Sequence, residues 1–146
     1  MERFLLAASV VAVAAVVAVI LERRRPEPPT QGGWQVPTQL DRADFARPEA
    51  PWLVAVFTSA TCDSCAQALQ RSRVLASDAV AVEEVEVKEK PDLHRRYRIE
   101  AVPIIVVADG DGVVRTSFTG PPSATDLWAA VAGVRDQGPR GDGDPS

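Results

Sequence analysis

The chain has 146 residues, enough for one compact domain with attachments. Apolar residues make up 46% and charged residues 25%, a globular balance that excludes a chain disordered throughout. The net charge of −4 argues against a nucleic-acid partner, which needs a basic surface to neutralise phosphates. The only cysteines are Cys62 and Cys65, and the only histidine is His94. A closed structural zinc site takes four ligands, so these three do not complete one, and no metal or cofactor is expected.

A stub at 1–3 precedes a run at 4–21 that is apolar or small, with Ser9 its one polar residue. A run this long without charge predicts a transmembrane helix, and so the bilayer as a partner. A cleaved signal peptide is the alternative. It is opposed by the nearly neutral start, Met1-Glu2-Arg3, and by Glu22-Arg23-Arg24-Arg25 in place of a small-residue cleavage site. Arginines after the span, with only Arg3 before it, place the folded domain on the cytoplasmic side of the cell membrane. The opposite orientation remains the alternative.

Residues 22–37 carry Pro26, Pro28, Pro29 and Pro37 and predict a stiff linker. Trp34 within it rests either on the domain or at the lipid interface. The domain is expected at 38–135. A short opening element at 40–45 leads to Trp52-Leu53-Val54-Ala55-Val56-Phe57, a continuous apolar run that suits a strand buried on both faces. Residues 62–75 have helical spacing, with Ser59, Thr61 or Asp63 as candidate caps. A second strand is expected at 80–87 and a proline-opened helix at 91–98. Ile104-Ile105-Val106-Val107 is a third strand. Asp109-Gly110-Asp111-Gly112 then turns into a returning strand at 113–118. A last helix at 125–134 starts near Ser123 or Thr125, with Leu127 and Trp128 packed on the sheet. Residues 136–146 read as a disordered tail. Alternation followed by a hairpin predicts an α/β fold with a central mixed sheet flanked by helices on both faces.

Cysteines three apart share one helical turn. A cysteine at a helix start meets the positive end of the helix dipole and free amides, which favour its thiolate. Cys62 is thus the expected nucleophile, and Cys65, one turn further in, the resolving thiol. Cys62 attacks a substrate disulfide, and Cys65 then releases the reduced product.

At Phe57-Thr58-Ser59-Ala60-Thr61-Cys62-Asp63-Ser64-Cys65 the chain resembles the thioredoxin family, and the resemblance covers nearly the whole domain. Pro91, Tyr97 and Ala101-Val102-Pro103-Ile104 fall at the spacings of the family's second half. The resemblance implies a thioredoxin-like fold and disulfide exchange on protein substrates, with electrons from a protein donor. It implies a cis bond before Pro103, and a substrate groove formed by Thr61, Val102, Pro103 and Gly120.

Four departures from the family pattern stand out. Thr61 replaces the usual tryptophan, Asp63-Ser64 the usual Gly-Pro, and Val56 a buried aspartate, while Glu84 falls where a lysine is common. Asp63 would raise the thiolate's pKa and make the pair a reductant, unless it is solvated and inert. Glu84 either supplies the displaced carboxylate or is an ordinary exposed strand residue. His94, among Arg95, Arg96 and Arg98, reads as part of a solvated basic face. The departures keep open a tethered redox sensor or peptide-binding module. An outward-facing domain would suit a helper in cytochrome or cofactor maturation.

Overall fold

The computed structural model divides the chain into two units, Met1–Gly32 and Gly33–Ser146, and describes Met1 and residues 34–138. The expected span at 4–21, most of the linker and the tail from 139 onward lie outside the described residues. Among the described residues no helix is long and apolar enough to cross a membrane.

The second unit opens with a 3-10 turn, Arg42–Asp44. There follow β1 (Trp52–Thr58), α1 (Cys65–Arg73), β2 (Val80–Glu86), α2 (Pro91–Arg96), β3 (Ile104–Asp109), β4 (Val114–Thr119) and α3 (Ala124–Asp136). The strands form one sheet in the order β2-β1-β3-β4. β1 runs parallel to β2 and antiparallel to β3, and β3 runs antiparallel to β4. The sheet is therefore mixed, as the alternating pattern predicts. All residues of β1 and β3 are buried, which explains their unbroken apolar runs, while the edge strand β4 is half-buried throughout.

The pleat sends alternate side chains to two cores. Leu53, Ala55 and Phe57 face one core with Val85, Ile104, Val106 and Tyr97. Val54 and Val56 face the other with Ala68, Leu69, Ile105, Leu127 and Val131. Helix α2 covers the first face, and α1 and α3 cover the second.

His94 departs from the expected basic face. It is 6% exposed, its Nε2 lies 2.7 Å from the Val85 carbonyl oxygen, and its ring meets Phe57 edge-on at 5.4 Å. His94 and Tyr97 lie three apart and share the inward face of the last turn, so Arg95 and Arg96 take the solvent side. Leu127 is fully buried as expected, but Trp128 is 43% exposed, its indole N–H donating to the Arg71 carbonyl at 3.4 Å. Trp34 is also exposed.

Buried polar contacts secure the end of the sheet where β1 starts and β3 ends. The Asp109 carboxylate is 1% exposed and accepts from the amides of Asp111 and Val113, each at 3.0 Å, and from Arg115 Nε at 2.7 Å. Arg42 donates to the carbonyls of Ala50 and Asp109, each at 2.9 Å. Burial lowers its pKa, and Asp109 and Glu49 oppose the shift. The Tyr97 hydroxyl donates to Asp44 and accepts from the Asp41 amide at 3.0 Å, tying the 3-10 turn to α2. Burial, then the Asp44 carboxylate, pushes this phenol up to about 12, so it stays a donor.

Gly112 closes the β3–β4 turn at φ 80°, and its carbonyl accepts from Leu40 N–H at 2.8 Å. A Cβ there would stand 1.9 Å from the Leu40 carbonyl oxygen, whereas one on helical Gly133 would meet nothing within 4 Å. We expect Gly112→Ala to destabilise the protein by about 2 kcal/mol or more, and Gly133→Ala to stabilise it by roughly 0.5–1 kcal/mol. Denaturant melts of the full chain measure both, and equal effects would contradict the close approach.

Candidate functional site

β1 delivers the chain at Thr58 into a loop, and the cysteines follow within one turn. Cys62 N–H donates to the Ser59 carbonyl at 3.1 Å, and Cys65 N–H to the Cys62 carbonyl at 3.2 Å. The two cysteines are joined as a disulfide, with their Cα atoms 5.4 Å apart. Cys62 is half-buried, while Cys65 is 4% exposed. That asymmetry suits an outer attacking sulfur and an inner resolving one.

The regular helix begins at Cys65, three residues later than the spacing predicts. The tight turn from Cys62 to Cys65 explains the delay, because the Cys62 carbonyl bonds to the third amide onward, not the fourth. The expected caps do not cap. Ser59 Oγ meets the Thr61 hydroxyl at 3.1 Å, and the N-cap residue is Ser64, which makes no side-chain bond to the helix amides. The first turn of α1 holds no acidic residue, and Asp63 stands exposed one position before its N-cap.

The residues expected to form the groove gather at this same end of the sheet. Phe57 pairs with Ile104, and Ile104 with Thr119, so Pro103 and Gly120 stand one position beyond, level with Thr58. The Val102–Pro103 bond is cis, as the resemblance implies. Pro103 is buried, Val102 is half-buried, and Thr61 is exposed on the loop. Gly120 N–H donates to the Pro103 carbonyl at 2.8 Å. Its φ of 86° calls for glycine by conformation alone, since a Cβ would meet nothing within 4 Å.

Beneath the helix the floor is apolar. Val56 is fully buried in the core that Ala68 joins from α1. Glu84 lies on this helix-bearing side but is engaged elsewhere: it accepts from Thr58 Oγ1 at 2.9 Å and pairs with Arg73 at 3.5 Å. Asp63 is exposed and makes no hydrogen bond or ion pair among the described residues.

Glu86 was hidden among its neighbours Glu83 and Glu84. One carboxylate oxygen accepts from the Ala60 amide in the cysteine loop at 3.0 Å. The other accepts from the amides of Lys88 at 2.7 Å and Glu89 at 3.0 Å. Glu86 thereby fastens the cysteine loop to the turn between β2 and α2. Desolvation pushes its pKa up, but the amides of Ala60, Glu89 and Lys88 outweigh that and hold the carboxyl below its usual value. No local pattern marks Glu86; its place at the end of β2, directly opposite Thr58, is set by the strand pairing.

The His94 ring is committed to Val85 and Phe57, and the two sulfurs are bonded to each other. Among the described residues no cluster of three or more His, Cys, Asp or Glu side chains is arranged to hold a metal ion.

No family model matches the chain, and no curated protein matches it in sequence. Solved structures do. A mutant thioredoxin from Halobacterium salinarum aligns with a TM-score of 0.55 at 21% identity, covering 67% of this chain and 88% of that one. The germline-specific thioredoxin Deadhead of Drosophila melanogaster gives 0.52 at 21% identity, covering 60% and 84%. Fasciola hepatica thioredoxin gives 0.50 at 22% identity, covering 57% and 80%. The fold is thioredoxin-like.

Glu86 contributes to holding the loop only while ionised. Its folded-state pKa is depressed, so the contribution is complete above the ordinary carboxylate range and is lost as pH falls through the folded value. Glu86→Ala should speed hydrogen exchange at the Ala60 amide several-fold at neutral pH. The gap to the parent protein should close in acid. Identical exchange rates at neutral pH would contradict the anchoring role.

Proposed function

We propose that this chain is a membrane-anchored thiol–disulfide oxidoreductase that exchanges disulfides with protein substrates through Cys62 and Cys65. One observation carries the reading: a bonded pair, half-exposed at Cys62 and buried at Cys65, at the start of α1. The thioredoxin-like fold supports it.

In the reduced protein the Cys62 thiolate attacks one sulfur of a substrate disulfide. A mixed disulfide forms, and one substrate thiolate leaves and takes a proton from solvent. Cys65 then loses its proton to solvent and attacks Cys62. The second substrate thiolate departs, and the Cys62–Cys65 bond closes. Two electrons have passed from the pair to the substrate, and a protein dithiol must return them. The main chain at Val102 is offered to an extended substrate segment, and Pro103 presents no N–H toward the sulfurs. Thr61 and Gly120 border the same groove.

Exchange should be measurable as insulin reduction by the full chain with dithiothreitol as donor. Cys62→Ser should reduce the rate to background. Cys65→Ser should accumulate mixed disulfides with substrate, because the resolving attack is lost. Wild-type turnover at the level of Cys62→Ser would end the proposal.

A second reading, a tethered redox sensor or peptide-binding module with little turnover, is favoured by Val56. No carboxylate lies at that position to accept the Cys65 proton. Slow insulin reduction with normal redox cycling of the pair would select it.

We further propose that residues 4–21 anchor the chain in the cell membrane with the domain on the cytoplasmic side. The reading rests on the charge-free run and the arginines that follow it. Protection of the reduced cysteines from an impermeant thiol reagent on intact cells is the expected result. Rapid labelling would reverse the orientation and favour a helper in cytochrome or cofactor maturation.

A further inference from the structure

We infer that the Ser64 hydroxyl is the hydrogen-bond donor that supports the Cys62 thiolate during exchange. The inference deepens the proposed exchange reaction and rests on it.

Ser64 occupies the N-cap of α1, where a serine oxygen ordinarily accepts from an amide of the first helical turn. It makes no such bond. Its Oγ lies 3.7 Å from Cys62 Sγ instead. A disulfide sulfur has no proton, so the hydroxyl is the donor. The half-buried side chain is therefore turned from the helix amides toward the reacting atom.

The surrounding charges make a donor valuable there. Asp63 adjoins Cys62 in sequence and is exposed. Glu86 holds the loop through Ala60, and Glu84 sits at Thr58 with Arg73 as its partner. Asp63 on the loop and Glu86 at its anchor add negative charge that disfavours a thiolate, while Arg73 offsets Glu84. Val56 gives α1 an apolar floor. Support for the thiolate is left to the amino end of α1 and to Ser64.

A neutral disulfide sulfur accepts weakly, whereas a thiolate accepts a charge-assisted bond. The contact with Ser64 thus strengthens when two electrons and a proton open the disulfide to a Cys62 thiolate and a Cys65 thiol. It relaxes as Cys62 forms its bond to the substrate sulfur and loses its charge. No proton leaves Ser64 in either step.

The test is the pKa of Cys62 in the full chain, read by thiolate absorbance near 240 nm, with Cys65→Ala leaving one titrating sulfur. Adding Ser64→Ala should raise the pKa by about one unit, roughly a tenfold smaller thiolate fraction at neutral pH. Alkylation by iodoacetamide should slow in proportion. Ser64→Thr, which keeps the hydroxyl, should restore both values, and circular dichroism should show the same fold in all three. An unchanged pKa in Ser64→Ala would overturn the inference, as would equal shifts for the alanine and threonine variants. The titration needs no substrate, so its failure removes Ser64 and leaves exchange standing. Failure of insulin reduction in the wild type removes exchange and leaves the titration readable.

Discussion

Strand β1 pairs in parallel with one neighbour and antiparallel with the other, and the site is a consequence of that pairing. Its C-terminal end lies beside the end of β2 and the beginning of β3, and β3 brings the end of β4 alongside. The ends of all four strands therefore converge where Thr58 leaves the sheet. One supplies the cysteines, one Glu86, one Val102 and Pro103, and one Gly120. Seven buried residues hold β1 in register, and a slip of one would exchange the two cores and carry the cysteine turn away from Pro103.

The groups around the pair combine a helix dipole, a hydroxyl, carboxylates and an apolar floor. The floor under α1 is Val56, and the nearby carboxylates are Glu84, bound to Thr58 and Arg73, and Glu86, bound to three amides. Negative charge around the loop disfavours a thiolate, and a poorly stabilised thiolate makes a pair more reducing. The helix dipole and Ser64 act the other way. Their balance, with Asp63 added from the solvent side, sets how readily the pair gives up its electrons.

Much of the architecture was legible because its signals are periodic. The apolar run at Trp52–Thr58, the Asp109 to Gly112 turn and the helix opened by Pro91 each carry a local pattern that tertiary packing reinforces. The cysteine pair and Pro103 were legible because their spacing is rarely coincidental in such a frame. Long-range hydrogen bonds have no such signature. In the sequence Glu86 is one acid among three, and its contact with Ala60 lies 26 residues away. Arg42, in the opening element, and Asp109, in the turn, are both buried and joined across 67 residues. His94 was obscured by its arginine neighbours, although its spacing to Tyr97 marked the inward face. The late start of α1 follows from a single turn bond, which helical periodicity does not resolve.

The reduction potential of the Cys62–Cys65 couple, equilibrated against a thiol–disulfide buffer, addresses the central claim most directly. A reversible two-electron couple nearer about −270 mV than about −120 mV is the predicted result, with the carboxylates and the apolar floor outweighing the helix dipole and Ser64. A potential close to −120 mV, or a pair that does not cycle with dithiol, would contradict it.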